Sequence, residues 1–276
     1  MTRFEPALAY ARRHELHALV VACDGRVVHE EFGGDFTPSS PHALYSGTKS
    51  FWGVAALAAQ REGLLQLDEP VAATIDEWRS DPRKSRVTLR QLLQLTSGHG
   101  FGGLGSAVPT YARALSIDLK NPPGAVFTYS GVPLQVFGAV LARKLETHKL
   151  TPHEFLARRI LEQAGIRIAR WRELADGSQP LPTGAFMTAS NWLAYGEYVS
   201  EHHNELAECF TGSWANPHYG LGFWLGSRHA PSDLVYASGA GGQALYIVAS
   251  HRLAIVHFGK SSAFKHDAFL KRFFSA

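Results

Sequence analysis

Cysteine and long apolar runs are scarce in this sequence, and each shortage excludes a class of protein. The 276 residues include two cysteines, Cys23 and Cys209, fewer than the disulfide framework of a small secreted domain needs. No stretch approaches the roughly 18–20 consecutive apolar residues that span a bilayer. Segment 19–23 resembles a lipoprotein cleavage site, but polar residues at 12–15 interrupt the apolar region of a signal peptide. We therefore expect a cytoplasmic protein that does not bind a membrane.

Basic stripes and metal-ligand motifs are also missing. The 27 Lys and Arg residues are scattered and the formal net charge is +3, whereas nucleic-acid-binding surfaces cluster positive charge against phosphates. The 14 histidines contain no His-Glu-x-x-His pair. Segment 100–105 matches the glycine pattern of dinucleotide-binding loops, but it follows a predicted helix instead of a strand. The sequence therefore predicts no nucleic-acid partner, no metal and no cofactor.

The order of the predicted elements indicates an α+β fold. Asp24-Gly25 lies between two apolar stretches, 20–23 and 27–32, which is typical of a β-hairpin. A helix that is apolar on nearly all sides should run from Ser46 to about Glu62. Further helices are predicted at 7–16, 89–95, 132–145, 151–164, 188–201 and 263–274, and strands at 220–225, 235–237, 245–249 and 254–258.

This order predicts an antiparallel β-sheet flanked by helices, with an inserted, mainly helical lobe. Both ends of the chain, 1–60 and 208–276, would form the sheet lobe as one discontinuous unit. The helical lobe would comprise 61–207. An active-site cleft is expected between the two lobes. No Gly-x-Ser-x-Gly occurs, which argues against the nucleophile elbow of an α/β-hydrolase.

The segment Ser46-Gly47-Thr48-Lys49 has the residue types and spacing of a nucleophile with its base. Residues three apart on a helix share a face, so the hydroxyl and the amine can meet. The helix N-terminus would favour a developing oxyanion. At ordinary residue usage about one Ser-x-x-Lys is expected by chance in a chain of this length. A second one, ending at Lys265, is interpreted as the solvated start of the last helix.

Two further segments could complete a site, and each has a simpler structural reading. Tyr129 precedes a predicted helix and could point into a cleft beside Lys49, but most tyrosines are half-buried core residues with a paired hydroxyl. The small residues Ser238 and Gly239 lie between two predicted strands, where a substrate could approach the backbone. The alternative there is a bulge or a flexible turn.

Together, five segments of the chain resemble the penicillin-recognising serine hydrolases, in particular the class C β-lactamase-like branch. That branch includes DD-peptidases, family VIII esterases and hydrolases of nylon oligomers (6-aminohexanoate-dimer hydrolases). The matching segments occur in the family's order and cover most of the chain. They are Ser-x-x-Lys at 46–49, Leu-Leu-x-x-Thr-Ser-Gly at 92–98, Pro-Gly-x-x-Phe-x-Tyr-Ser at 123–130, Tyr-Gly-Leu-Gly-Phe at 219–223 and Ser-Gly-Ala-Gly-Gly at 238–242.

The resemblance implies a role for each matching residue. Ser46 would be the nucleophile, with Lys49 and Tyr129 as base and acid; which of the two accepts the first proton stays open, because a coupled pair shares its titration. The backbone N–H groups of Ser46 and Ala240 would form the oxyanion hole. The substrate pocket would include Gly131, Ala237, Ser238 and Gly239.

Two departures from the family pattern concern the substrate. Gly131 stands where β-lactamases have an asparagine that binds the amide side chain of the substrate. Ala237 stands where they have Lys or His, which helps to hold the substrate carboxylate. A pocket without these partners would desolvate a penicillin carboxylate with no compensation. We therefore expect a small-molecule ester or amide substrate, with a β-lactamase or DD-peptidase as one alternative and a non-catalytic ligand-binding or scaffold module as another.

Overall fold

The computed structural model describes residues 4–275, and its framework begins with the predicted hairpin. Strand β1 (Leu16–Cys23) pairs antiparallel with β2 (Arg26–Phe32). The turn residues Asp24 and Gly25 have φ values of 51° and 71°, and two left-handed residues are what a tight turn matching the strand twist requires. The hairpin prediction is confirmed.

The hairpin belongs to a six-stranded antiparallel sheet with strand order β2-β1-β9-β8-β7-β6. The last four strands come from the end of the chain: β6 (Trp224–Leu225), β7 (Leu234–Gly239), β8 (Gln243–Val248) and β9 (Leu253–Gly259). Every residue of β8 and β9 is buried, because helices cover both faces of the sheet. The predicted strand at 220–225 is reduced to its last two residues, since Gly222 turns the chain with a φ of 88°.

One face of the sheet is covered by the two terminal helices, α1 (Glu5–Arg12) and α8 (His266–Phe274). Both are shorter than predicted. Helix α1 ends before Glu15, whose φ of 55° redirects the chain into β1. The sequence predicted that the second Ser-x-x-Lys would form the first turn of α8. Helix α8 begins at His266, so that segment lies before the helix.

The other face packs against the segment between the two halves of the sheet. Its helices are α2 (Ser50–Arg61), α3 (Leu89–Leu93), α4 (Tyr111–Ser116), α5 (Val132–Leu145), α6 (Pro152–Leu156) and α7 (Ala189–Glu201). A small second sheet has the strand order β3-β5-β4, formed by β3 (His42–Ala43), β4 (Arg170–Trp171) and β5 (Ala185–Met187). These elements share one hydrophobic core with the large sheet.

Local signals placed several of these helices correctly. Thr88 and Thr151 both form capping boxes. In each, the threonine side chain accepts a hydrogen bond from the backbone N–H of the third helical residue, and the side chain of that residue accepts one from the backbone N–H of the threonine. Helix α6 passes at Ala157 into a π-helical turn that ends at Leu161. Helix α7 lies within the predicted helical lobe but packs on the sheet through Gly196, next to Leu245. The division into two lobes stays a prediction.

Helix α2 is the central helix. Its first ten residues, Ser50 to Ala59, are all buried, as its apolar sequence predicts. Gly53 lets it approach the chain segment beside it, because a Cβ at this position would press on the carbonyl oxygen of Leu221 and lie 2.7 Å from its Cβ. Among residues 4–275, no helix combines the length and the apolar character needed to cross a membrane.

We predict that Gly53→Ala destabilises the fold, although alanine favours helices. Overpacking against backbone atoms costs about 1–3 kcal/mol and should outweigh a gain of about 1 kcal/mol in helix propensity. Thermal unfolding monitored by circular dichroism measures the effect. Gly196→Ala is the matched control, because its added Cβ would meet the movable end of the Leu245 side chain, 2.7 Å away. A melting temperature lowered less by Gly53→Ala than by Gly196→Ala would contradict this packing account.

Candidate active site

The structure brings Ser46 and Lys49 together in one turn of helix. Residues Tyr45–Lys49 form a 3-10 turn that leads directly into α2. A 3-10 helix has three residues per turn, so side chains three apart lie one above the other. The Lys49 Nζ donates a hydrogen bond of 2.9 Å to the Ser46 Oγ. The preceding residue, Tyr45, has a φ of 47°, an uncommon backbone conformation that is often found beside functional residues.

Lys49 is buried, with 1% of its surface exposed. Its Nζ donates a second hydrogen bond, of 3.0 Å, to the carbonyl oxygen of Pro182. Among the described residues no carboxylate forms an ion pair with it. Loss of hydration lowers the pKa of Lys49 from 10.5 to about 7, because burial penalises the charged form. A large share of the amine is therefore neutral near pH 7 and can accept a proton.

The Tyr129 ring lies beside this amine, with its centroid 5.0 Å from the Lys49 Nζ. An aromatic wall holds the ring: Trp224 stacks on it with centroids 5.7 Å apart, and Tyr219 meets it edge-on. Burial raises the pKa of the Tyr129 hydroxyl, and a smaller hydrogen-bonding effect of Ser46 acts in the opposite direction. The phenol therefore keeps its proton near neutral pH and is placed to share it with Ser46.

The segment 95–98 positions the loop that carries Tyr129. The Leu95 carbonyl accepts a hydrogen bond of 3.0 Å from the Thr128 N–H, and the Thr96 carbonyl accepts one of 2.7 Å from the Gly124 N–H. The loop crosses so close to Gly98 that a Cβ there would press on the backbone of residue 121. The Thr-Ser-Gly motif therefore supports the site through backbone contacts.

Ser46 and Tyr129 open onto a cleft of about 500 Å³, a size that suits a small molecule. Ser46 and Ala240, the two residues expected to supply oxyanion N–H groups, both line it, as do Ser238 and Gly239. The full lining comprises Tyr45, Ser46, Leu104, Gly105, Tyr129, Thr183, Trp224, Tyr236, Ser238, Gly239, Ala240 and His266.

The other two expected pocket residues are not part of this lining. Gly131 lies just before α5, and a Cβ there would press on the carbonyl oxygen of Gly103 and lie 3.1 Å from the Pro182 Cγ. An asparagine therefore does not fit this backbone. Ala237 lies on β7 with 1% of its surface exposed, so its side chain belongs to the core.

Several lining residues gave no signal in the sequence. Leu104 and Gly105 reach the cleft because the carbonyl of Gly102 accepts hydrogen bonds of 2.9 Å from the Gly131 N–H and from the Ser130 Oγ. His266 is the first residue of α8 and lines the cleft, although it is far from Ser46 in the sequence. Trp224 directly follows the Tyr-Gly-Leu-Gly-Phe motif, and this neighbouring motif could have indicated it.

Within residues 4–275, no three His, Cys, Asp or Glu side chains converge as a metal site would require.

This fold and the Ser-Lys pair at the head of its central helix define a class of protein. The chain belongs to the Beta-lactamase family, whose model matches residues 11–272. A solved structure with the same fold is that of a class C beta lactamase from Rhodobacter sphaeroides. That structure has a TM-score of 0.71 and 15% sequence identity, over 97% of this chain and 97% of that chain.

The chain is also similar to proteins that are not named as β-lactamases. A D-stereospecific amidohydrolase from Streptomyces sp. has a TM-score of 0.77 and 16% identity, over 99% of this chain and 98% of that one. EstCE1, a hydrolase with promiscuous acyltransferase activity, has a TM-score of 0.79 and 15% identity, over 99% and 97%. Protein flp of Staphylococcus aureus (strain MW2) is 22% identical over 247 residues, 74% of this chain. The chain spans about half the length of that relative (49%).

We predict that Lys49 titrates near pH 7 in the folded protein. In an NMR pH titration, its side-chain Cε signal, assigned by its absence from Lys49→Arg, should show a midpoint of about 7. The amine is charged below that pH and neutral above it. A midpoint near the ordinary lysine value of 10.5 would show that the amine is hydrated or paired, and would contradict the site described above.

Proposed function

We propose that this protein is a serine hydrolase that cleaves an uncharged ester or amide through an acyl-enzyme on Ser46. One observation supports the proposal most: the Lys49 amine donates a 2.9 Å hydrogen bond to the Ser46 Oγ while burial lowers its pKa to about 7. A base whose pKa lies near the working pH can take the hydroxyl proton and then return it.

The proposed reaction has two halves. First, the Ser46 Oγ attacks the substrate carbonyl and its proton passes to the Lys49–Tyr129 pair. The backbone N–H groups of Ser46 and Ala240 would stabilise the oxyanion, and the pair then protonates the leaving group as its bond to carbon breaks. In the second half, water attacks the acyl-enzyme and loses a proton to the same pair. The pair returns this proton to the Ser46 Oγ as the bond between Oγ and the acyl carbon breaks, and the acid product leaves.

The charge of the cleft supports an uncharged substrate. None of the described residues that line it is an Asp, Glu, Lys or Arg. Its histidine, His266, has its pKa lowered to about 4, mainly by burial, and is neutral at physiological pH. A substrate carboxylate would lose its hydration there without meeting a cation, which is costly. The similarity to a hydrolase with promiscuous acyltransferase activity and to a D-stereospecific amidohydrolase agrees with an ester or amide substrate.

We predict that Ser46→Ala abolishes hydrolysis of p-nitrophenyl butyrate. Loss of a covalent nucleophile typically lowers kcat by several orders of magnitude, to the order of 10⁻⁶ of the original value. The matched control is Ser262→Ala in the second Ser-x-x-Lys, which should keep the original rate because Ser262 does not line the cleft. A fluorophosphonate probe should label the original protein and the control but not Ser46→Ala. Hydrolysis unchanged in Ser46→Ala would refute the proposal, and a folded protein that neither reacts with the probe nor turns over esters would favour a ligand-binding module.

We also predict that nitrocefin, a β-lactam with a carboxylate, is hydrolysed far less efficiently than p-nitrophenyl butyrate. No Lys or Arg among the described residues lines the cleft to pair with that carboxylate, and a charge-assisted hydrogen bond is worth about 1.5–3 kcal/mol, roughly a ten- to hundredfold effect on kcat/KM. The comparison is made with one enzyme preparation at pH 7, with Ser46→Ala as the blank. A kcat/KM for nitrocefin equal to or above that for the ester would instead identify a β-lactamase.

A further inference from the structure

A chain of three side chains leads from the core into the cleft. The Ser238 Oγ lies 2.8 Å from the Nε2 of His266, and the Nδ1 of His266 lies 2.7 Å from the Tyr246 hydroxyl. The three residues come from β7, α8 and β8. Ser238 and His266 line the cleft beside Ser46, whereas Tyr246 is fully buried behind them.

The buried tyrosine determines the direction of the first hydrogen bond. Tyr246 has no exposed surface, so no solvent can accept its phenolic proton. Among residues 4–275 the hydrogen-bond partner of its hydroxyl is the Nδ1 of His266 and no other atom. If that nitrogen carried a proton, the phenolic proton would be left unpaired, at a cost of about 1–3 kcal/mol. Tyr246 therefore donates, and the Nδ1 accepts.

The state of the imidazole then determines the second hydrogen bond. Burial is the largest influence on His266 and lowers its pKa to about 4; Lys265 adds to this effect and Asp267 opposes it. The ring is neutral at pH 7 and has one proton, which must lie on Nε2. This nitrogen donates to the Ser238 Oγ. No other atom of the described residues is then hydrogen-bonded to the Ser238 Oγ, so its proton can point into the cleft.

We propose that Tyr246 and His266 orient Ser238 as a hydrogen-bond donor to the substrate, and that the substrate therefore carries an uncharged acceptor oxygen, such as a second carbonyl, near the scissile bond. The inference rests on the proposed hydrolase function for its substrate class. Ser238 would contact the substrate, and His266 and Tyr246 are positioning residues. A hydroxyl oriented in advance loses no rotational freedom on binding, which favours the acceptor-bearing substrate.

The tautomer can be tested without any substrate. Imidazole ¹⁵N NMR distinguishes a protonated nitrogen from an unprotonated one, and His266→Gln assigns the signals. We expect protonated Nε2 and unprotonated Nδ1 in the original protein, and a mixture of tautomers in Tyr246→Phe. Tyr10→Phe is the matched control: its hydroxyl accepts a 2.9 Å hydrogen bond from the Lys265 N–H at the start of α8 but does not touch His266. Protonated Nδ1 in the original protein would overturn the inference.

The substrate preference is tested with p-nitrophenyl hexanoate and its 3-, 4- and 5-oxo derivatives. We expect one keto ester to be preferred, and this preference in kcat/KM to fall about three- to tenfold in Ser238→Ala and in Tyr246→Phe, the worth of one hydrogen bond. Tyr10→Phe should leave it unchanged. A preference unaffected by Ser238→Ala, or lowered equally by Tyr10→Phe, would overturn the inference. If no ester is hydrolysed at all, the proposed function fails, while the NMR result still decides the tautomer.

Discussion

A buried lysine amine, paired with no carboxylate of the described residues, is the constraint on which the rest of this structure depends. Removing an ammonium group from water costs several kcal/mol in a protein, and Lys49 avoids most of that cost by losing its proton more easily, with a pKa of about 7. Two hydrogen bonds, to Ser46 and to the carbonyl of Pro182, keep the amine in place. Burial of the amine destabilises the fold, and the same burial makes Lys49 a usable base.

Burial also keeps two groups near Lys49 neutral at pH 7. Tyr129 keeps its proton because burial raises its pKa, and His266 lacks a second proton because burial lowers its pKa. No Asp, Glu, Lys or Arg is among the described residues that line the cleft, so selectivity must come from shape and from the direction of individual hydrogen bonds. The Ser238 hydroxyl would donate one such hydrogen bond. Tyr246, which does not contact the substrate, determines the direction of that bond through His266.

A backbone contact occupies the space in which the family resemblance predicts a side chain. At Gly131, the position expected to hold an asparagine, the carbonyl of Gly103 leaves no room for a Cβ. The same contact draws the 102–105 loop inward, so that Leu104 and Gly105 line the cleft. The absence of a side chain at residue 131 and the presence of Leu104 in the cleft therefore go together in this structure, and both agree with the proposed uncharged ligand.

The sequence by itself determined the elements that depend on near neighbours. The hairpin at Asp24-Gly25, the caps at Thr88 and Thr151 and the limits of α5 follow from backbone conformation and hydrogen bonds within a few residues. The five family motifs likewise indicated the fold, because each is a short local pattern in a recognisable order.

The sequence distinguished the two Ser-x-x-Lys segments by the place of the first among the family motifs, but only the tertiary structure decided the burial and the lowered pKa of Lys49. Lys49 lies under segments distant in sequence that strip its water, whereas Lys265 is exposed at the surface. It also decided the shortening of β6 and the arrival of His266 beside Ser238, neither of which any local pattern foretold. The burial and the pKa of a side chain depend on the residues that the rest of the fold places around it. The spacing of a motif does not determine those residues.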